Sequence, residues 1–215
     1  MQARDYIANG NSGKIVLGLD RVRKLCEFLG NPQDKVKLIH ISGTNGKGSV
    51  GTFIASVLTA SGYKVGRYTS PEVLNYRDKF SINGQWISED EFASLTDVIS
   101  RFVDKMPDRP TPFEIETALA YYYFEQNDCD FAVVECGMGG KEDATNVADN
   151  KVLSVLTSVA LDHTQFLGDT LEKITEQKIG IVKGSPLVSA GQCSEVLAVL
   201  KDKISDLTLA DVSKI

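Results

Sequence analysis

The sequence predicts an α/β fold, a mostly parallel sheet with helices on both faces and one small β-hairpin. Three observations lead there. Short apolar, β-branched runs alternate with segments of helical period along the chain. A glycine-rich turn, Gly43 to Gly48, joins one such run to the helix that follows, as in a βαβ unit. Asn83-Gly84 lies between two short strand-like runs, and that pair supplies the two positive φ angles of a tight hairpin. With 215 residues, 42% of them hydrophobic, the chain can bury a full core.

The elements follow in order. Val22, Leu25, Cys26 and Leu29 recur at helical spacing, and Gly30-Asn31-Pro32 ends that helix. Val36 to Ser42 is largely apolar and reads as a strand. After the glycine turn, Val50, Phe53, Ile54, Val57 and Leu58 mark one face of a helix closed by Gly62. Lys64 to Thr69 reads as a second strand, and Ser70 to Lys79, without a regular period, as a loop. The hairpin Phe80 to Ile87 comes next. Ser88-Glu89-Asp90-Glu91 is a capping box opening a helix to about Val103. Thr111-Pro112-Phe113-Glu114 is another, with proline at the first helical position, and leads into the apolar helix Ile115 to Phe124. Phe131 to Glu135 and Val152 to Val159 read as strands, and Thr170 to Lys183 as a helix with Gly184 behind it. Leu187 to Ser189 is a strand, Glu195 to Ile204 a helix, and Leu207 to Val212 a last strand.

Composition excludes several classes of function. The formal charge is −6 and no lysine/arginine run occurs, which argues against a nucleic-acid surface. An anionic ligand would need locally gathered cations, for which Lys47, Arg67, Lys79, Lys141 and Lys178 are the candidates. The cysteines, Cys26, Cys129, Cys136 and Cys193, form no C-x-x-C pair, and the histidines are His40 and His163 alone. That disfavours zinc and fits reduced thiols. No signal-like segment opens the chain, and no apolar run approaches the roughly 20 residues of a membrane span. A cytoplasmic, monomeric protein without membrane contact is the expectation.

Ser42-Gly43-Thr44-Asn45-Gly46-Lys47-Gly48-Ser49 carries the clearest chemistry. Glycines let backbone curl round phosphates, and a helix start offers free N–H groups and partial positive charge. Lys47 can reach terminal phosphates, and Ser49 can ligate Mg²⁺. The strict P-loop pattern is not met: Ile41 stands at its first glycine, and Gly48 follows the lysine. An ordinary glycine-rich βα turn would explain Gly46 and Gly48 but not this lysine and serine. Glu135 ends a strand, where ligands gather in open α/β sheets and a carboxylate suits a hard cation; a capping or solvent-facing glutamate is the alternative. His40 falls mid-strand, in a core or sheet-face position, without an assigned role.

The run Gly43-Thr44-Asn45-Gly46-Lys47-Gly48-Ser49 resembles the ATP loop of the folylpolyglutamate synthase and dihydrofolate synthase family, in the Mur ligase superfamily. Further blocks agree in order: Tyr68-Thr69-Ser70-Pro71, Glu135 to Gly140 with Asp143-Ala144-Thr145-Asn146, Leu161-Asp162-His163-Thr164, and Gln177-Lys178-Ile179-Gly180. The sequence departs from the family at Glu72, Asp78-Lys79, Lys141-Glu142 and Ile179. The resemblance implies a P-loop NTPase-like domain of the Mur-ligase central-domain type over residues 1–215. It implies that this domain is truncated, with the family's C-terminal domain absent.

The same resemblance implies an ATP-dependent ligase joining L-glutamate to folate or dihydropteroate through an acyl phosphate. A UDP-muramyl amino-acid ligase, or a nucleotide-binding module without turnover, are the rivals. Gly43 to Ser49 would bind nucleotide. Lys47 and Lys178 would be catalytic, the latter as a carbamylated lysine. Ser49 and Glu135 would bind Mg²⁺, and His163 a second Mg²⁺, although imidazole is an unusual magnesium ligand. Ser70 and Pro71 would begin the substrate loop, and Phe113 would offer the folate a stacking face. Tyr121, Tyr122, Tyr123 and Phe124 read better as core.

Overall fold

The computed structural model describes residues 3–9 and 16–210. Its helices are α1 (Ala3–Ala8), α2 (Asp20–Phe28), α3 (Lys47–Ala60), α4 (Glu89–Val103), α5 (Pro112–Gln126), α6 (Thr164–Leu167), α7 (Leu171–Ile179) and α8 (Ser194–Lys203). Its strands are β1 (Lys37–Ser42), β2 (Val65–Tyr68), β3 (Phe80–Ile82), β4 (Gln85–Trp86), β5 (Phe131–Glu135), β6 (Lys151–Leu156), β7 (Leu187–Ser189) and β8 (Leu207–Leu209). They form one sheet in the order β4-β3-β2-β5-β1-β6-β7-β8. From β2 to β8 every pairing is parallel; β3 and β4 add the antiparallel hairpin at one edge. Asn83 and Gly84 turn it with φ of 49° and 77°, as their sequence requires.

Alternate residues of the central strands face two layers. Ile39 and Ile41 of β1, Val65, Val133 and Val155 pack against α3. Leu38 of β1, Tyr68, Ala132 and Val134 share the opposite core with α2, α4 and α5. Toward the other edge, Leu156 and Leu187 pack with Ile179 of α7 and with Val196 and Leu200 of α8. The apolar helix α5 is buried on nearly every side, so Tyr121, Tyr123 and Phe124 are core, as expected.

Several elements differ from their sequence reading. Phe53 and Val57 of α3 are 70% and 65% exposed and not on its core face. That face runs through Val50, Gly51, Ile54 and Leu58. A Cβ on Gly51 would meet Ile41 at 3.3 Å, so this glycine lets helix and strand approach and sets which stripe faces inward. Helix α7 stops at Ile179, not Lys183. The carbonyls just beyond are engaged by other elements: Asn146 Nδ2 donates to Gly180 O at 3.1 Å and Lys151 Nζ to Ile181 O at 2.7 Å. At α4, Ser88 accepts from the Glu91 amide, but the box is only half made, because Glu91 accepts instead from Asn127 at 3.0 Å. Strand β6 ends at Leu156 and β8 at Leu209, and residues 211–212 of the expected last strand lie outside the described residues. The segment 70–79 contains a 3₁₀ turn, Tyr76–Lys79, and a cis Ser70-Pro71 bond.

Candidate active site

The glycine loop leaves the C-terminal end of β1, a central strand, and becomes α3 at Lys47. Gly43 and Gly46 hold φ of 143° and 85°. At Gly43 a side chain is also barred sterically, since a Cβ would lie 1.8 Å from Thr157 Oγ1. Gly46 is the N-cap and carries no side-chain cap, so the first amides of α3 point away from the helix without an internal acceptor. Thr44 pins the loop: its amide donates to Ser158 O at 2.7 Å and its hydroxyl to Ala160 O at 3.2 Å. Lys47 Nζ folds back to donate to the Gly43 and Thr44 carbonyls, each at 3.2 Å, and lies 3.8 Å from Glu135 Oε1. Ser49 is exposed on the first turn of α3.

Glu135 ends β5, beside β1, and is buried. Its Oε2 accepts a short hydrogen bond from the Thr69 hydroxyl at the end of β2. Burial raises its pKa, opposed by that hydroxyl, by Lys47 and by Arg67. Gly48 leaves space here, because a Cβ on it would sit 3.4 Å from Glu135 Oε2. Lys178 reaches the loop from α7, 2% exposed, and its Nζ donates to Gly43 O at 2.9 Å. Burial pushes its amine down to about 8, helped by the Lys47 charge and opposed by Asp162. Lys47 and Lys178 thus converge on one carbonyl with Glu135 alongside.

A cavity of about 500 Å³ adjoins this cluster. Ser70 follows Thr69, and Gly137 and Met138 come two and three residues after Glu135, so the cavity wall begins just beyond the Thr69–Glu135 pair. Ser70, Pro71 and Phe113 all line it. The outer edge of the Phe113 ring lies against Gly137, where a Cβ would stand 2.6 Å from it. Glu114 and Glu116 of α5 and Asp143 also reach the wall, and so does Lys79. Lys79 is not a free cation: it contacts both Glu116 oxygens at 3.0 and 3.1 Å and Glu72 at 3.0 Å.

The structure therefore brings together Gly43, Lys47, Glu135 and Lys178, and separately Ser70, Pro71 and Phe113. It leaves His163 apart: this residue N-caps the four-residue helix α6 at φ 45°, about half-exposed, with its Nε2 3.7 Å from Asp162. Among the described residues no group of three or more His, Cys, Asp and Glu gathers as a metal cluster. Of the five candidate cations, Lys141 is exposed, and Arg67 is lowered in pKa by burial against the pull of Glu135 and Asp78. Sequence reasoning assigned no role to Thr69, Met138 or the buried Asp143, although each falls in a quoted block. Asp143 accepts from the Met138 amide at 2.7 Å and the Thr145 amide at 3.0 Å. The signal available was its place in the Asp143-Ala144-Thr145-Asn146 block that carries the family resemblance.

A family model described as Mur ligase middle domain matches residues 41–208. The dihydrofolate synthase/folylpolyglutamate synthase of Bacillus subtilis (strain 168) is 40% identical over 205 residues, covering 93% of this chain and 47% of that protein. The chain thus spans about half the length of the curated relatives it matches. Among solved structures, the apo form of L. casei FPGS superposes with a TM-score of 0.93 at 36% identity, over 98% of this chain and 53% of that one. An FPGS–AMPPCP–folate complex gives a TM-score of 0.91, also at 36% identity, over 98% and 53%. The chain belongs to the Mur ligase middle-domain family, in the branch of the folylpolyglutamate and dihydrofolate synthases.

Proposed function

We propose that these residues supply the ATP site and the folate site of a ligase that joins L-glutamate to a folate, as folylpolyglutamate synthase, dihydrofolate synthase or both. The observation that carries this reading is the adjacency of loop and cavity. A phosphate-type loop with Lys47, Glu135 and Lys178 adjoins the Thr69–Glu135 pair, and a cavity with apolar walls begins one and two residues beyond that pair, at Ser70 and Gly137. An acceptor held in that cavity can present its carboxylate to the γ-phosphate of ATP at the loop. The carboxylate oxygen attacks phosphorus and ADP leaves. The glutamate amine then attacks the acyl phosphate, phosphate departs, and the amine loses a proton.

The chain's own groups support these steps by positioning and charge. The amides at the start of α3 bind phosphate oxygens. Lys47 exchanges the Gly43 and Thr44 carbonyls for the transferring phosphoryl group. Glu135 and Ser49 offer hard oxygens that would hold Mg²⁺, and His163, which stands apart from them, would hold a second ion. When bound, Mg²⁺ neutralises charge on the β- and γ-phosphates. Lys178, buried with a lowered pKa, retains a neutral amine fraction that can add CO₂, releasing a proton and leaving an anionic carbamate.

The cavity favours a folate over a UDP-muramyl acceptor. Pro71, Phe113 and Met138 offer flat apolar walls, and its acids outnumber its cations, Lys79 being already paired. A planar heterocycle fits such walls, whereas a diphosphate needs free cations. The test is glutamate-dependent ADP release by the natural polypeptide containing these residues, with dihydropteroate, a reduced folate or a UDP-muramyl substrate as acceptor. Turnover with either pterin is expected. Turnover with the UDP-muramyl substrate alone would overturn the reading.

A further inference from the structure

His40 is a buried histidine that the proposed chemistry does not use. It lies mid-way along β1, paired with Val134 of β5 and Ser154 of β6, and is 0% exposed. Its Nε2 lies 2.8 Å from Thr145 Oγ1 and 3.1 Å from Cys136 Sγ, while its Nδ1 has no hydrogen-bond partner among the described residues. Thr145 Oγ1 in turn contacts Asp143 Oδ1, and Asp143 lines the cavity. We infer that His40 is a positioning residue, whose Nε2–H, relayed through the Thr145 hydroxyl, fixes the Asp143 carboxylate in the orientation it presents to the acceptor. This rests on the reading of the cavity as the acceptor site.

The direction of the relay follows from proton counting. Burial raises the Asp143 pKa, but the Met138 and Thr145 amides both donate to it and favour the carboxylate, which can only accept, so the single Thr145 hydroxyl proton goes to it. Thr145 Oγ1 must then accept from His40, which places the imidazole proton on Nε2. The opposite tautomer would leave a buried N–H donor without a partner at Nδ1 and set two acceptors face to face at Nε2. Burial, with the Lys151 and Lys183 charges acting in the same direction, keeps the ring neutral, so a single proton is available. The acceptor end is also fixed. Tyr121 donates to Thr145 O at 2.7 Å, and Ser42, two residues along the same strand face, donates to Gly139 O at 2.6 Å. The orphaned Nδ1 separates this role from packing. If the ring served only to fill the core, an apolar side chain of similar size would serve as well and remove an unpaired polar atom.

Two measurements test the inference. In ¹⁵N-labelled, unliganded chain at neutral pH, the imidazole shifts should report a protonated Nε2 and a bare Nδ1. A protonated Nδ1 would overturn the relay whatever the protein binds. In the natural polypeptide, His40→Leu should keep the wild-type melting temperature or exceed it, and should leave kcat unchanged. It should weaken folate KM about tenfold, the loss of the neutral hydrogen bond that holds the Thr145 hydroxyl toward Asp143. His40→Gln, whose amide reaches the Nε2 position, should recover folate KM to within about threefold. Unaltered KM in His40→Leu, or equal losses in Leu and Gln together with lowered melting, would mean that the ring only packs. Failure of the wild type to accept any folate would refute the functional reading instead, and the tautomer measurement would still decide the relay.

Discussion

Lys47 holds its amine against its own loop, donating to the Gly43 and Thr44 carbonyls, while Thr44 is pinned separately by Ser158 and Ala160. Removing it should therefore cost little stability and most of the activity. In the natural polypeptide, Lys47→Ala should lower ATP-dependent turnover by about 10² or more while the thermal midpoint stays put. Retained turnover would exclude the loop as the phosphate site. Lys178 differs because burial moves its pKa to about 8, below the ordinary lysine range. Below about 8 both folded and unfolded chains carry the proton, and the cost of burying it is constant. Between there and about 10.4 the unfolded chain binds more protons, so stability rises with pH. Lys151, lowered to about 7 by burial and by Lys183, begins the same rise earlier. Urea unfolding at several pH values across that window should give a positive slope, and Lys178→Met should flatten its upper part. An identical slope in the variant would mean that the amine is solvated.

Elements carried most of what the sequence made legible. The Asn-Gly hairpin, both N-caps and the strand–loop–helix unit are local, so their residues specify them without help from elsewhere. The end of α7 and the exposed stripe of α3 were not legible, because each is set by a distant partner: Asn146 and Lys151 for one, Ile41 against Gly51 for the other. The two N-caps give a stability comparison. Thr111 closes a complete capping box at a buried helix start, so Thr111→Ala should cost about 1–2 kcal/mol. Ser88 closes half a box in solvent, and Ser88→Ala should cost about 0.5 kcal/mol. Equal losses by denaturant titration would mean that the reciprocal bond adds nothing. Gly137 allows a third test, since an added methyl must displace the Phe113 ring. Gly137→Ala should weaken folate binding in the natural polypeptide, and Phe113→Ala should remove most of that sensitivity, a non-additivity that a double-mutant cycle measures.

At the scale of the molecule, the site is assembled from β1, β2, β5, α5 and α7, which lie far apart in the chain. The loop residues could be named from the sequence because one short motif holds them. The cavity could be named only in part, through Ser70, Pro71 and Phe113, since Asp143 and Met138 join it by way of the sheet order. Both halves of the site open at the same end of the sheet, toward the carboxyl ends of the parallel strands. These residues account for about half of the relatives they resemble, 47% of the Bacillus subtilis protein. The described residues hold a helix start with uncapped amides, the buried Lys178 beside the part-buried Lys47, and a cavity of about 500 Å³. They present no second wall of cations and amides around the exposed Ser49 and the half-exposed His163. An acyl phosphate facing solvent there is open to hydrolysis, and the glutamate amine has nothing to hold it in line, a misplacement that alone can cost about 10²-fold in rate. The 215 residues alone should therefore bind ATP weakly and form amide at least about 10²-fold more slowly than the same residues joined to a segment matching the relatives' second half. Glutamate-dependent ADP release, with a folate acceptor and with amide product quantified for both polypeptides, makes the comparison. ADP release without amide from the short chain would fit an unprotected acyl phosphate. Equal amide formation from both would mean that these residues close the site themselves.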